Sequence, residues 1–313
     1  MRKLKGIYAP IPTFLDQNNK IDLNGNIAAC KKLLESDIAG LYIFGTTGEF
    51  AYFSIEERKF YIENLLYQLD TSKELIICIH HWNTNKAMEL AEHAIKNGAK
   101  YLAAVLPLYY SVSEKGIYNY YKSIRAKINE FDDSIQLFLY NIPLLPSTAN
   151  ITPQIISNLA NEGIINGIKD SVIELEHAKN VLENVDNSFC FLCGTEPLLL
   201  YAFREGNIIK RFDGGVFSGA DVLPNTYVKL FNAAVNLDFE NFYRIWPLVD
   251  EFISLWDEGI FMLPHIIKYA MKYQKYQIND LPCNPLDIIS DNKKKEVEKV
   301  IVKIMEFFGD FLI

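Results

Sequence analysis

The sequence has 313 residues, 50% of them hydrophobic, and a formal net charge of −8. The apolar fraction supplies a large core and excludes disorder as the main state. The acidic balance argues against a nucleic-acid binder and a polybasic membrane-surface protein, either of which needs a basic face.

The N-terminal stretch MRKLKGIYAPIPTF has basic residues but no apolar run of signal-peptide length. No window reaches the roughly 18 uninterrupted apolar residues of a membrane span. The five cysteines, Cys30, Cys78, Cys190, Cys193 and Cys283, are odd in number and mostly inside apolar runs, which argues against a disulfide framework. The expectation is a soluble cytoplasmic protein with reduced thiols.

In chain order, short runs that are apolar on both faces alternate with amphipathic stretches. Strands are predicted at 5–12, 40–45, 75–80, 100–107, 135–141, 164–170, 189–194 and 214–219, each bounded by Gly, Pro, Asn or Asp, as buried parallel strands are. Helices are predicted between them, at 23–36, 54–69, 85–98, 113–128, 152–163, 174–185 and 196–206. Ser54 with Glu57 three residues on is a capping box. The Gly at the end of 85–98 suits a helix C-cap, and Pro153 suits a first helical position. Beyond residue 225 the pattern is helical only, at 228–237, 239–256, 260–274 and 293–312. The KKKEVEK run in the last of these reads as a solvated face.

Eight strand–helix alternations in about 225 residues predict an α/β fold, a (β/α)8 TIM barrel over residues 1–225 with a C-terminal helical extension, 226–313, packed on it. A doubly wound open sheet competes, because periodicity does not show closure. The lack of a Gly-rich dinucleotide fingerprint after the first strand favours the barrel.

A barrel carries its site at the C-terminal ends of its strands. Those ends read Gly45-Thr46-Thr47-Gly48-Glu49, His80-His81, Pro107 followed by Tyr109 and Tyr110, Tyr140-Asn141, Lys169-Asp170, and Gly194 followed by Glu196. Lys169 closes an apolar strand, so its amine should enter the barrel mouth; a surface lysine paired with Asp170 is the competing reading. Burying an amine disfavours its charged form, and a neutral amine can attack a carbonyl carbon to form a Schiff base. Tyr140 ends the neighbouring strand, about 4.8 Å away, where a phenol can pass a proton to a substrate oxygen; with 18 tyrosines in the chain, a packed ring is the competing reading. The Gly-Thr-Thr-Gly turn offers hydroxyls and backbone N–H groups to a carboxylate. His80-His81 lacks the acidic or thiol partners of a metal site, so no metal is expected. Cys190-x-x-Cys193 lies within an apolar strand, which argues against a redox role. No P-loop, GxSxG elbow or HExxH is present.

Gly45-Thr-Thr-Gly-Glu49, Tyr140-Asn-Ile-Pro143 and Gly167-Ile-Lys-Asp170, in that order, resemble the pyruvate-dependent class I aldolase family. That family contains dihydrodipicolinate synthase, N-acetylneuraminate lyase and archaeal 2-keto-3-deoxygluconate aldolase, the last being the nearest likeness. The resemblance runs from about residue 5 to the final helix. It implies that Lys169 forms the imine with pyruvate and that Tyr140 relays protons. It implies that Thr46 and Thr47 hold the pyruvate carboxylate, and that Tyr109, or Tyr110 in its place, crosses a subunit interface. It further implies a homotetramer with no metal or other cofactor. Synthases of the family carry an arginine shortly after YNxP to grip a second carboxylate. Here Leu144 and Leu145 stand there, and a leucine supplies no such charge. The Gly194-Thr195-Glu196 stretch resembles the place where sugar-acid aldolases hold an acidic residue near substrate hydroxyls. Residues 214–221, Ser218 among them, are expected to line the pocket, while the effect of the long 205–213 loop has no assignment.

The expected activity is cleavage of 2-keto-3-deoxygluconate or a related 2-keto-3-deoxy sugar acid to pyruvate and glyceraldehyde. N-acetylneuraminate lyase and dihydrodipicolinate synthase are the alternatives, with a non-catalytic keto-acid-binding barrel and a structural scaffold behind them. The expected partners are pyruvate, an aldehyde and the keto sugar acid, with no nucleic acid and no membrane.

Overall fold

The computed structural model describes residues 3–107, 110–143, 150–256 and 259–308. Eight parallel strands form a closed barrel in chain order: β1 (Gly6–Ala9), β2 (Gly40–Ile43), β3 (Glu74–Cys78), β4 (Tyr101–Val105), β5 (Gln136–Asn141), β6 (Gly167–Asp170), β7 (Cys190–Cys193) and β8 (Gly214–Val216). Each strand is followed by a helix: α1 (Leu23–Leu34), α2 (Ile55–Gln68), α3 (Thr84–Lys96), α4 (Glu114–Asn129), α5 (Pro153–Asn161), α6 (Leu175–Glu183), α7 (Glu196–Glu205) and α8 (Pro224–Val235). The C-terminal helices are α9 (Phe239–Ile253), α10 (Leu263–Tyr273) and α11 (Asp291–Phe308). The barrel is the predicted fold. No helix among the described residues is long and apolar enough to cross a membrane.

Local chemistry sets the helix ends. The Ser54 hydroxyl accepts from the Glu57 N–H while the Glu57 carboxylate accepts from the Ser54 N–H, which is the predicted capping box. Thr152 caps α5, and Pro153 occupies its first position, where no N–H is needed. Gly98 follows α3 with φ +94, a conformation that favours glycine.

The predicted strands all exist, each shorter than predicted, and β3 begins one residue early at Glu74. In 164–170, the Ile164 and Ile165 N–H groups both donate to the Leu159 carbonyl at the exit of α5 (2.9 and 3.3 Å), so the ladder starts only at Asn166, which donates to Leu137 (2.8 Å). The strand predicted over 214–219 stops at Val216 and turns into a 3-10 segment, Ser218–Asp221. There Gly219 packs so closely on the Tyr227 ring that a side chain would not fit. The long 205–213 loop contains another 3-10 segment, Ile208–Arg211.

The KKKEVEK run is only partly solvated. Lys293 is 7% exposed and pairs with Glu296 at 2.9 Å. It stands at the head of the stripe Val297, Val300, Ile301 and Ile304, all buried, so its methylene stem belongs to the apolar face.

The backbone groups into two compact units. One comprises Met1–Gly6, Glu74–Val216 and Ala234–Leu237; the other comprises Ile7–Lys73, Phe217–Ala233 and Asp238–Ile313. In the first, the parallel ladder β3–β4–β5–β6–β7–β8 is continuous, with Val105 opposite Tyr140, Tyr140 opposite Lys169, and Lys169 opposite Leu192. In the second, Tyr8 of β1 pairs with Gly40 of β2. The five cysteines are buried, and none is in a disulfide. Burial pushes Cys30 and Cys283 up to about 12 and raises Cys190 and Cys193 as well. These four are poor nucleophiles near neutral pH.

Candidate active site

Lys169 is the third residue of β6, and Tyr140 is the fifth of β5. The ladder pairs them directly, so their side chains project to the same face of the sheet. Lys169 is 5% exposed and Tyr140 2%. The Lys169 Nζ lies 4.2 Å from the centre of the Tyr140 ring, within the range of cation–π attraction. The two residues that the sequence placed on neighbouring strand ends therefore meet, with the amine off the surface. Gly167, two residues before Lys169 on the same strand, has no space for a side chain. A side chain there would press on the Phe138 ring and on the Cys190 carbonyl oxygen at 2.6 Å.

Asp170 alternates to the opposite face from Lys169. It is fully buried, and its carboxylate accepts from the Asn141 amide (3.2 Å) and the Val172 N–H (3.2 Å) and lies 3.1 Å from His177 Nε2 of α6. Asn141 continues the network to Asn150 (3.1 Å) and accepts from the Ile151 N–H (3.2 Å). This group ties the ends of β5 and β6 to α6 and so fixes the backbone that carries Lys169 and Tyr140.

His80, weighed in the sequence as a metal ligand, is fully buried with its ring centre 6.4 Å from that of Tyr140. Among the described residues no group of three or more His, Cys, Asp or Glu side chains is arranged to hold a metal ion. Gly194 sits where a side chain would strike Ser171 and the Asp170 carbonyl (2.8 Å), and its N–H donates to that carbonyl at 2.7 Å. Glu196 is 8% exposed in the first turn of α7, where a carboxylate also complements the helix dipole. Tyr110 is 77% exposed. Tyr109, Leu144 and Leu145 lie outside the described residues.

In the second unit, the turn after β2 holds Thr46 and Thr47. Thr47 is 2% exposed, and its hydroxyl shares a 2.9 Å hydrogen bond with the Ser218 hydroxyl, so two predicted residues meet here also. Phe44 (φ +57) and Glu49 (φ +56) flank the turn in the left-handed region. Gly48 is packed against the Phe44 backbone, 3.0 Å from where its Cβ would stand, and its carbonyl accepts from the Thr13 hydroxyl at 2.9 Å.

Sequence reasoning noted Glu49 only as the end of a motif and missed its partners. Its carboxylate is ion-paired with Lys268 of α10, accepts from the Cys283 N–H (3.2 Å) and lies 4.0 Å from His265 Nε2. Lys268 is fully buried and donates to the Leu281 carbonyl at 3.1 Å. The available signal was spacing: Pro264, Ile267, Lys268 and Met271 fall on one helical stripe, so the lysine interrupts an apolar face.

A model of the dihydrodipicolinate synthetase family matches residues 3–304. The chain belongs to that family. As a member it is a class I, pyruvate-dependent aldolase or lyase; such enzymes bind pyruvate through a lysine imine and use no external cofactor. Among its relatives is a probable 2-dehydro-3-deoxy-D-pentonate aldolase of Escherichia coli, 25% identical with 96% of this chain and 97% of that protein covered. Another, from the same organism, is a putative 2-dehydro-3-deoxy-D-gluconate aldolase, 26% identical with 73% of each chain covered. Among solved structures, the Ruminococcus gnavus sialic acid aldolase superposes with a TM-score of 0.88 at 21% identity, covering 99% of this chain and 100% of that one; this likeness is one of fold.

Proposed function

We propose that this family member reversibly splits 2-keto-3-deoxygluconate, or a related 2-keto-3-deoxy sugar acid, into pyruvate and glyceraldehyde or the corresponding aldehyde. The observation that carries the reading is the buried Lys169 amine resting against the buried Tyr140 ring on the adjoining strand. In the synthetic direction the Lys169 amine adds to the ketone of pyruvate, and water leaves to give the protonated imine. That cation draws electrons from the methyl group, which gives up a proton to solvent water to form an enamine. The enamine carbon attacks the aldehyde, and Tyr140 gives its proton to the new alkoxide. Water then releases the product and restores the amine, and solvent returns the proton to Tyr140. Cleavage runs the same steps backwards, with Tyr140 taking the hydroxyl proton.

Thr46 and Thr47 receive the carboxylate in this reading, and Ser218 orients Thr47 through their shared hydrogen bond. Glu196, beside Gly194, accepts from the substrate hydroxyls. Tyr109 completes the site across the interface of a homotetramer working in the cytoplasm. Leu144 and Leu145, in place of a second carboxylate grip, favour a neutral polyol aldehyde over aspartate semialdehyde. The two sugar-acid aldolases among the relatives support the same choice.

Two measurements test this. Borohydride reduction with pyruvate should add the reduced adduct to the peptide carrying Lys169, and an unmodified Lys169 in fully active enzyme refutes the assignment. Turnover of pyruvate with glyceraldehyde should exceed that with N-acetylmannosamine or aspartate semialdehyde. Preference for either of the latter selects the lyase or the synthase, and pyruvate binding without any turnover selects a non-catalytic barrel.

A further inference from the structure

We propose that Glu49 and Lys268 are positioning residues for the Thr46–Thr47 turn, and that through it they set the affinity for the keto-acid carboxylate. The inference rests on the reading of that turn as the carboxylate site. Glu49 closes the turn: its N–H donates to the Thr46 carbonyl at 3.0 Å, and its backbone sits at φ +56. A non-glycine residue holds that conformation only where its surroundings over-determine it. Here they do. The Glu49 side chain is buried, paired with Lys268 and capped by the Cys283 N–H at 3.2 Å. Lys268 is tied in turn to the Leu281 carbonyl at 3.1 Å. The ion pair thus links the residue that shapes the turn to α10 and to the segment that follows it.

Stability alone does not call for such a pair, because well-packed apolar residues replace buried ion pairs at little or no loss. What the pair supplies is direction. Two charges that must face each other fix the rotation of the Glu49 backbone, and with it the Thr46 and Thr47 groups offered to an anion. The effect should fall on pyruvate binding and leave the later carbon–carbon chemistry intact.

The test is borohydride trapping of pyruvate on Lys169, titrated with pyruvate, in the wild-type enzyme, E49Q/K268M and K268R. The double variant removes both charges together and so leaves neither stranded. The expected result is a half-saturating pyruvate concentration raised about tenfold in the double variant with an unchanged plateau, and a smaller rise in K268R. Lower melting temperature with unshifted half-saturation marks a merely structural pair and overturns the inference, as does a lowered plateau at unchanged half-saturation. If the double variant does not fold, K268R decides: a raised half-saturation supports the inference and an unshifted one overturns it. Absence of trapping in the wild-type enzyme overturns the function proposed above and this inference with it, whereas normal wild-type trapping with unshifted variants overturns this inference alone.

Discussion

Lys169 and Tyr140 owe their placement to a regular strand ladder, whereas Thr46 and Thr47 sit in an irregular turn between two residues of positive φ. In the ladder, position follows from the pleat: alternate residues face alternate sides, and register brings chosen pairs together. In the turn, position follows from tertiary partners, namely the Ser218 hydroxyl, the Thr13 hydroxyl and the buried charges beyond Glu49. A ladder tolerates the loss of one side chain because its backbone bonds persist. A turn held by side chains does not, so substitutions in the two regions should fail differently.

The largest effect is expected at Lys169. Lys169→Ala removes the amine and should lower turnover by roughly 10⁵- to 10⁶-fold, the scale seen when a covalent nucleophile is lost. The β5–β6–β7 backbone ladder remains, so far-UV circular dichroism should match wild type. Steady-state assay of keto-acid cleavage checks the first claim, and retained cleavage in this variant breaks the comparison at its root. Next is Tyr140→Phe, which keeps the ring against Lys169 and deletes only the hydroxyl. Turnover should fall about 10²- to 10⁴-fold, the usual share of a general acid–base group. Borohydride trapping of pyruvate should persist. Loss of trapping would instead place the phenol in imine formation.

This contrast also explains what could be seen in the sequence. The strands were legible because buried parallel strands are apolar on both faces and end in Gly, Pro, Asn or Asp. Lys169 was legible for the same reason, as a charge at the end of such a run. The Thr47–Ser218 bond was half legible: both residues were named, but their bond spans 171 positions of chain. The Glu49–Lys268 pair escaped because a single lysine in an amphipathic helix reads as solvated, and the supporting Cys283 N–H is 234 positions from Glu49. The Asp170–His177 contact escaped too, since the aspartate was weighed only as a partner of its neighbour Lys169. Strand ends at Ile164 and Val216 were overrun because hydrophobicity continues where the hydrogen-bonded ladder does not.

The turn's dependence on tertiary partners predicts a loss of stability. Lys268→Met strands the Glu49 carboxylate in a site that is 4% exposed, and breaking a buried pair from one side costs about 3–5 kcal/mol. Removing both charges in E49Q/K268M should recover most of that loss. Urea denaturation of Lys268→Met, Glu49→Gln and the double variant measures the coupling. Additive losses would mean that the two groups do not stabilise each other.

The smallest effect sharpens the same region through pH. His265 of α10 is 3% exposed and 4.0 Å from Glu49. Burial pushes its imidazole below the ordinary value of 6.5 and outweighs the attraction of Glu49; Lys268 pushes the same way, and Asp287 opposes. A histidine lowered in this way is neutral when folded and takes up a proton on unfolding below its ordinary value. The unfolded chain then binds more protons, so stability rises with pH through that window. Acidification from about pH 7 to below 6.5 should therefore weaken the fold through this one group, before the carboxylates begin to titrate. His265→Asn cannot take up the proton, so its urea midpoint should fall less than that of wild type over the same interval. Equal falls would mean that His265 keeps an ordinary affinity for protons beside Glu49, and that the buried charge there is more open to solvent than its surroundings imply.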